Sequence, residues 1–298
     1  MHIAAPAPTA DPGNATVLPM RERMRPLLGT FVCIRVEVDA AQANRVFAAA
    51  FGAIEQVQAC LSFHDPQSEL SRINRSAAVA AQRVSPLFAR VLRASLALAR
   101  ASEGRFDPSI GARLVRWGQL PAPEAAAADE QADWRDLSLV DGQTVRFHKP
   151  LWLDFGGIAK GYAVDLAVAA LKAQGVRKGL VNAGGDLRVF GAEPQTIHVR
   201  HPASPAQTIP LLQLKDGAVA TSAGYFSARD GYTALVDTAT AAPMGAGESV
   251  TVVARRAIWA DALTKIVLSG PADIAGLLRR LDAQAVRIDS RGQTTRLG

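Results

Sequence analysis

An acid, two glycines and a lysine fall close together in Leu153-Asp154-Phe155-Gly156-Gly157-Ile158-Ala159-Lys160-Gly161-Tyr162. The pattern reads as a strand ending in an acid, then paired glycines that let the backbone approach a ligand closely. A helix follows, beginning with free N–H groups and the positive end of its dipole. Such a place suits a phosphate, and Lys160 in the first helical turn adds charge. The order Lys-Gly is not the Gly-Lys-[Ser/Thr] of a Walker A loop, and the glycines do not follow the G-x-G-x-x-G fingerprint. On local chemistry alone, an ordinary strand-to-helix turn with a surface lysine accounts for the segment equally well.

Four further segments carry polar groups worth weighing. Asn182-Ala183-Gly184-Gly185-Asp186 reads first as a hairpin turn, with glycines that also permit positive φ beside a ligand. Phe106-Asp107-Pro108 and Ser62-Phe63-His64-Asp65-Pro66 are polar-aromatic loops of the kind that line clefts; each alone reads as an Asx-type turn. Asp261 has Thr264 and Lys265 at i+3 and i+4, on one helix face. A carboxylate beside a hydroxyl suits a hard cation such as Mg²⁺, although a surface Asp–Lys pair is the plainer reading. His198 and His201, three apart in a strand, point to opposite faces and make no metal pair. No Ser/His/Asp order and no glycosidase-like carboxylate pair stands out.

The elements that must position these groups follow from periodicity. Val32, Ile34, Val36 and Val38 alternate, predicting a strand over Thr30 to Val38 with one buried face. Val46, Ala50, Ala53, Ile54, Val57 and Leu61 recur at helical spacing. Ser85 as N-cap and Pro86 at N1 open a second helix that stops near Gly104. Residues 120–132 are rich in Pro, Ala and acids and read as an exposed insertion. Beyond them the signals predict a short strand end at Leu151 to Asp154, a helix from Gly156 to Gln174 closed by Gly175, and a strand at Gly179 to Asn182. Strands are expected at Thr196 to Arg200, Ile209 to Leu214, Ala218 to Thr221, Tyr232 to Asp237 and Ser249 to Ala254. Helices at Ile258 to Leu268 and Pro271 to Leu281 and a last strand at Ala285 to Asp289 complete the reading. The class is α/β or α+β with several antiparallel strands.

Composition narrows the field. With 298 residues, 49% of them hydrophobic and 20% charged, the chain can bury a sizeable core, which excludes disordered, fibrous and disulfide-scaffold classes. The length suits two domains or one large two-lobed unit. The net charge of +6 invites a nucleic-acid partner, but only six of the 33 basic residues are Lys and the Arg residues are scattered, so none is expected. Two cysteines, Cys33 and Cys60, are too few for a zinc site or a disulfide framework. No apolar run has the length of a transmembrane segment, and the opening stretch to Met20 lacks a signal-peptide apolar region. The expectation is a cytoplasmic protein with a floppy N-terminal tail.

In chain order, Leu28-Gly29-Thr30, Ser62 to Asn74 (SFHDPQSELSRIN), Phe106-Asp107-Pro108, Asp154 to Asp165 (DFGGIAKGYAVD), Asn182 to Asp186, Ala220-Thr221-Ser222 and Ala260-Asp261-Ala262-Leu263 resemble the FAD:protein FMN transferase (ApbE-like) family. DFGGIAKGYAVD is the most specific of these. The resemblance implies a two-lobed α/β (α+β) fold related to the T-fold, with mixed sheets and flanking helices. It places an FAD-binding domain at residues 23–298 behind a disordered tail at 1–22. It implies FAD in a cleft, Mg²⁺ on the pyrophosphate, and a threonine hydroxyl of an acceptor flavoprotein attacking the FMN-side phosphorus as AMP leaves. By position, Leu28, His64, Phe106, Asp107, Pro108, Asp154 and Lys160 fall on FAD contacts. Gly157, through its carbonyl, Asp261 and Thr264 fall on metal ligands.

Two positions depart from the family's pattern. Where it carries a Ser-His-hydrophobic-hydrophobic-Asp-Pro segment, whose imidazole could serve as general base, this chain has Thr233-Ala234-Leu235-Val236-Asp237-Thr238. Where it has a metal-binding threonine, this chain has Lys265, whose ammonium has no lone pair for a metal and is expected to take over part of the cation's role toward FAD. The implied activity is a flavin transferase, active or attenuated. The alternatives are a non-catalytic FAD-binding protein and a Mg²⁺-dependent FAD pyrophosphatase.

Overall fold

A computed structural model of the chain describes residues 18–124, 127–201, 204–223, 236–237, 242–243, 249–270, 273–289 and 293–298. The first half contains β1 (Met20–Leu27), β2 (Thr30–Glu37), α1 (Ala40–Leu61), α2 (Glu69–Ser76), β3 (Gln82–Arg83), α3 (Pro86–Ala101), α4 (Gly111–Arg116), β4 (Leu137–Val140) and β5 (Thr144–Phe147). Next come α5 (Ala159–Ala173), β6 (Gly179–Ala183), β7 (Asp186–Phe190), β8 (Gln195–His201), β9 (Ser204–Leu214) and β10 (Gly217–Ala223). The chain closes with β11 (Val236–Asp237), β12 (Ala242–Pro243), β13 (Ser249–Ala254), α6 (Ala257–Leu268), α7 (Ile274–Arg280), β14 (Gln284–Ile288) and β15 (Thr294–Leu297).

Eight strands form one sheet in the order β1-β2-β6-β7-β10-β13-β14-β15, every neighbouring pair antiparallel. Small sheets β3-β5-β4, β8-β9 and β11-β12 flank it. This is the expected mixed α/β class with antiparallel strands. The alternation in β2 works as read: Val32, Ile34 and Val36 are fully buried, whereas Phe31 on the other face is 66% exposed. The buried face packs against α1, α5 and α6 in one core that includes Val46, Ile54, Val57, Val164, Leu263 and Ile266. Each such side chain fully buried contributes about 1.5–3 kcal/mol. On the opposite face Leu187, Val189, Ile197 and Val219 form a smaller core, with Leu212 and Leu214 of β9 against it. Ser85 caps α3 as expected, its hydroxyl accepting from the Phe88 N–H (3.2 Å) ahead of Pro86.

Three expectations need correction. Residues 151–154 make no strand but a single parallel bridge, Trp152 to Ile110. The backbone of this stretch is spoken for by other groups. The buried Asn74 amide brackets Leu153, accepting from its N–H (2.8 Å) and donating to its carbonyl (2.9 Å), and the Asp154 N–H donates to the Pro108 carbonyl (2.8 Å). The helix begins at Ala159, not Gly156, because the Gly156 N–H turns back to Asp154 Oδ2 (3.0 Å). Strand β1 begins at Met20, so a tail boundary at residue 22 falls inside it. Most of that tail, and Thr233, Ala234, Leu235 and Thr238, lie outside the described residues.

Candidate active site

The β1–β2 turn, the β6–β7 turn and the C-terminal end of β10 lie at one end of the large sheet, where the registers β2–β6 and β7–β10 bring them together. There a cleft of about 1390 Å³ opens, lined by these turns, the loops at 62–64 and 105–107, and one face of α5 and α6. Leu28, His64, Phe106, Asp107, Asp154, Gly157, Lys160 and Lys265 all line it. Residues far apart in sequence thus share one cavity.

The loop wall is held by local turns. Leu28 and Gly29 have φ of +57° and +70°, the pattern of a type I′ hairpin, and a leucine held there costs about 1–2 kcal/mol. Its N–H is fixed by Gln58 Oε1 of α1 at 2.6 Å. Strain of this kind, over-determined by its surroundings, is characteristic of ligand contacts. His64 stands exposed on a loop clasped by α2, where Ser68 donates to the Ser62 carbonyl (2.6 Å) and Ser71 to that of Asp65 (2.7 Å). Asp107 Oδ1 accepts from the Ser109 N–H (2.8 Å) and hydroxyl (2.6 Å), the Asx turn read from sequence. Desolvation pushes the Asp107 carboxyl above the usual range, with the Ser109 bonds offsetting part of it. Desolvation also raises Asp154, against the pull of the Gly156 N–H and of His64 and Lys160. Pro108 does not line the cleft; it is buried, and its carbonyl ties this loop to Asp154.

The helix wall is a cluster of alternating charges. Lys160 Nζ donates to Asp186 Oδ2 (2.6 Å) and stands 4.0 Å from Asp261 Oδ1. Asp261 is fully buried; its Oδ2 accepts from the Gly161 N–H (2.9 Å) and its Oδ1 from the Lys265 ammonium. Lys265 also donates to the Asp261 carbonyl at 3.0 Å. Desolvation works against charge at each site, but the two lysines outweigh it at Asp261 and hold its pKa down. Desolvation likewise opposes the charge on Lys160, and the carboxylates of Asp186 and Asp261 raise its pKa in spite of it. Asp186, less well compensated, is raised by desolvation and by repulsion from Asp261. The close approach rests on Gly161, where a Cβ would meet the Ala257 carbonyl oxygen at 2.2 Å.

The plain reading of Asp261 and Lys265 as a surface pair is therefore overturned: the carboxylate has no exposure. Asp261 and Thr264 sit behind the wall rather than on it. The Thr264 hydroxyl donates to the Asp261 carbonyl (2.7 Å) and is bonded to Ser222 (2.7 Å). A divalent cation needs several oxygens turned toward one point. Here both carboxylate oxygens and the hydroxyl are already engaged, and an ammonium occupies the approach. As arranged, the donors do not fit Mg²⁺, and among the described residues no cluster of three His, Cys, Asp or Glu side chains could hold a metal.

A family model described as the ApbE family matches residues 28–287. The chain belongs to the ApbE family. It is 32% identical over 240 residues to an FAD:protein FMN transferase of Rhodobacter capsulatus, a match covering 73% of this chain and 45% of that one. The chain thus spans under half the length of that relative. It is 28% identical to the protein of the same name from Treponema pallidum, covering 89% of this chain and 84% of the relative. The ApbE protein of Thermotoga maritima shares the fold with a TM-score of 0.83 at 27% identity, over 94% of this chain and 97% of that one.

Within this ApbE chain the DFGGIAKGYAVD segment has a second task. Its last residue, Asp165, is buried and accepts from the Ala257 and Ile258 N–H groups (3.1 Å each), capping α6 from α5, while Arg188 donates to it at 2.7 Å. The ApbE site also contains residues that carry no ligand or partner signal in the sequence. Gln58 and Asp186 act across 30 and 26 positions, with no local signal. His198, set aside as a metal ligand, lines the cleft from β8, whose irregular pairing with β9 is not visible in spacing. Among the described residues, no helix is long and apolar enough to cross a membrane.

Proposed function

We propose that this chain binds FAD through a domain that begins with β1 and transfers its FMN portion to a threonine or serine hydroxyl of an acceptor flavoprotein. The acceptor oxygen bonds to the FMN-side phosphorus, the bond from that phosphorus to the AMP phosphate oxygen breaks, and AMP leaves. The hydroxyl proton passes to solvent or to a nearby base. The observation that carries this reading is the convergence of Leu28, His64, Phe106, Asp107, Asp154, Lys160 and Lys265 on one cleft in a chain with transferase relatives. Phosphoryl transfer asks of a protein mostly positioning and stabilisation of charge, and the ammonium groups of Lys160 and Lys265 beside the Gly156-Gly157 turn supply both. Leu28 and Phe106 offer apolar surface to the remainder of the ligand.

A second reading, an FAD-binding protein without transfer, is favoured by one observation: position 234 carries a methyl group where the resemblance puts an imidazole. Incubation with FAD and a protein bearing a flavinylation motif, followed by mass spectrometry, separates the two. Covalent FMN on the acceptor with one AMP released per flavin supports transfer. FAD bound but unchanged supports the second reading, and no FAD binding sinks both.

A further inference from the structure

Four charged side chains meet at the α5–α6 wall, two of each sign, and only the lysines line the cleft. Lys265 is one helical turn beyond Asp261, and helical side chains lean toward the N-terminus, so its stem carries the ammonium back over the Asp261 carboxylate and carbonyl. An ammonium has three donors; two are used on Asp261, which leaves one for a ligand in the cleft that Lys265 lines. The stem passes the Gly157 position, where a Cβ would lie 3.7 Å from Lys265 Cε and 3.3 Å from Phe106. The Lys265 side chain therefore runs beside the glycine turn that the sequence marks as suited to a phosphate.

We infer that the Lys265 ammonium is the built-in cation of this site, binding a phosphate oxygen of the ligand in place of a divalent metal. The inference rests on the FAD reading above and names how its pyrophosphate is held. The charges support it. Lys160 and Lys265 balance Asp186 and Asp261, so the cluster is neutral without any ion, and Mg²⁺ placed at Asp261 would face two ammonium groups at close range. Loss of Lys265 would leave two carboxylates to one lysine, an excess of negative charge that both repels phosphate and recruits a cation. Lysine is a compact point charge on a flexible stem, suited to following a phosphate oxygen.

The test is calorimetric affinity for FAD and for ADP, with Mg²⁺ and with a chelator, in the native protein and in Lys265→Thr. Native affinities should agree within about threefold between the two conditions. The variant should lose about tenfold or more in chelator, as expected when one member of a desolvated charge pair is removed, and regain it with Mg²⁺. A native protein that loses tenfold in chelator overturns the inference, and so does a variant indistinguishable from native. ADP carries the pyrophosphate without the flavin and separates the two failures. Metal-free ADP binding that drops in the variant, with no FAD binding, overturns the proposed function and supports the lysine. Should Lys265→Thr melt too low to assay, Lys265→Arg keeps the charge and should remain Mg²⁺-independent, whereas Lys265→Gln should show the same loss of about tenfold or more in chelator.

Discussion

On the α5–α6 wall four charged side chains satisfy one another, whereas across the cleft Asp107 and Asp154 are held by backbone N–H groups and by Ser109. At Asp261 the outcome is opposite in sign, although Asp186 beside it is raised as the loop carboxyls are. Asp261 is kept ionised by its lysines, while desolvation pushes the two loop carboxyls toward the neutral form. One wall is thus a fixed array of charge, ready for an anion before it arrives. The other presents carboxyls that desolvation holds above the usual range and that backbone N–H groups and Ser109 orient.

The comparison breaks most visibly at Asp261. Asp261→Ala leaves two lysines facing each other and should cost about 3–5 kcal/mol in denaturant unfolding, the range for removing one partner of a buried ion pair. Asp107→Ala on the loop wall should cost about 1 kcal/mol, the worth of an ordinary hydrogen bond; equal losses at the two positions would erase the distinction. Next in size is Gly161→Ala, which drives α5 from α6 and should cost about 1–3 kcal/mol, read as a lower Tm. Leu28→Gly sharpens the contrast from the other side. Relief of the positive φ should raise stability by about 1 kcal/mol while FAD affinity falls, a split that a purely structural leucine would not produce.

The smallest effect is one of pH. A carboxyl whose folded pKa is raised contributes stability that is present below the unfolded value of about 4 and is lost as pH rises through the folded value. Asp154 is such a group, so Asp154→Asn should be slightly more stable than native at about pH 8, with the difference vanishing near about pH 4. For Asp261 the sign reverses. Its folded pKa is lowered, and its contribution is present above about 4 and lost on further acidification. Melting temperatures across that range distinguish the two walls.

Much of this could be read from residues alone. The Ser85 cap, the alternation of β2 and the α1 stripe are local signals, and local physics decides them. The glycine turn and Lys160 were legible as a phosphate site; their partner Asp186 was not, because the pair forms only once β7 lies beside α5. Strand β1 is hidden in the sequence for a different reason. Its sequence, MRERMRPL, shows no apolar face, since arginines do that work: the guanidinium groups of Arg23 and Arg25 lie 4.7 and 4.6 Å over the rings of Phe47 and Phe51. Residues 151–154 failed the opposite way, as apolar residues with strand spacing whose hydrogen bonds go to Asn74 and Pro108.

Asp165 gives the molecule a modular boundary that does not follow its helices. Because the start of α6 is fastened by a carboxylate on α5, the helix bearing Asp261, Thr264 and Lys265 is not a portable part. A chimera that imports α6 alone would carry the site's charges while leaving their alignment to the host. One that moves α5 and α6 together with Arg188 would bring the alignment with it.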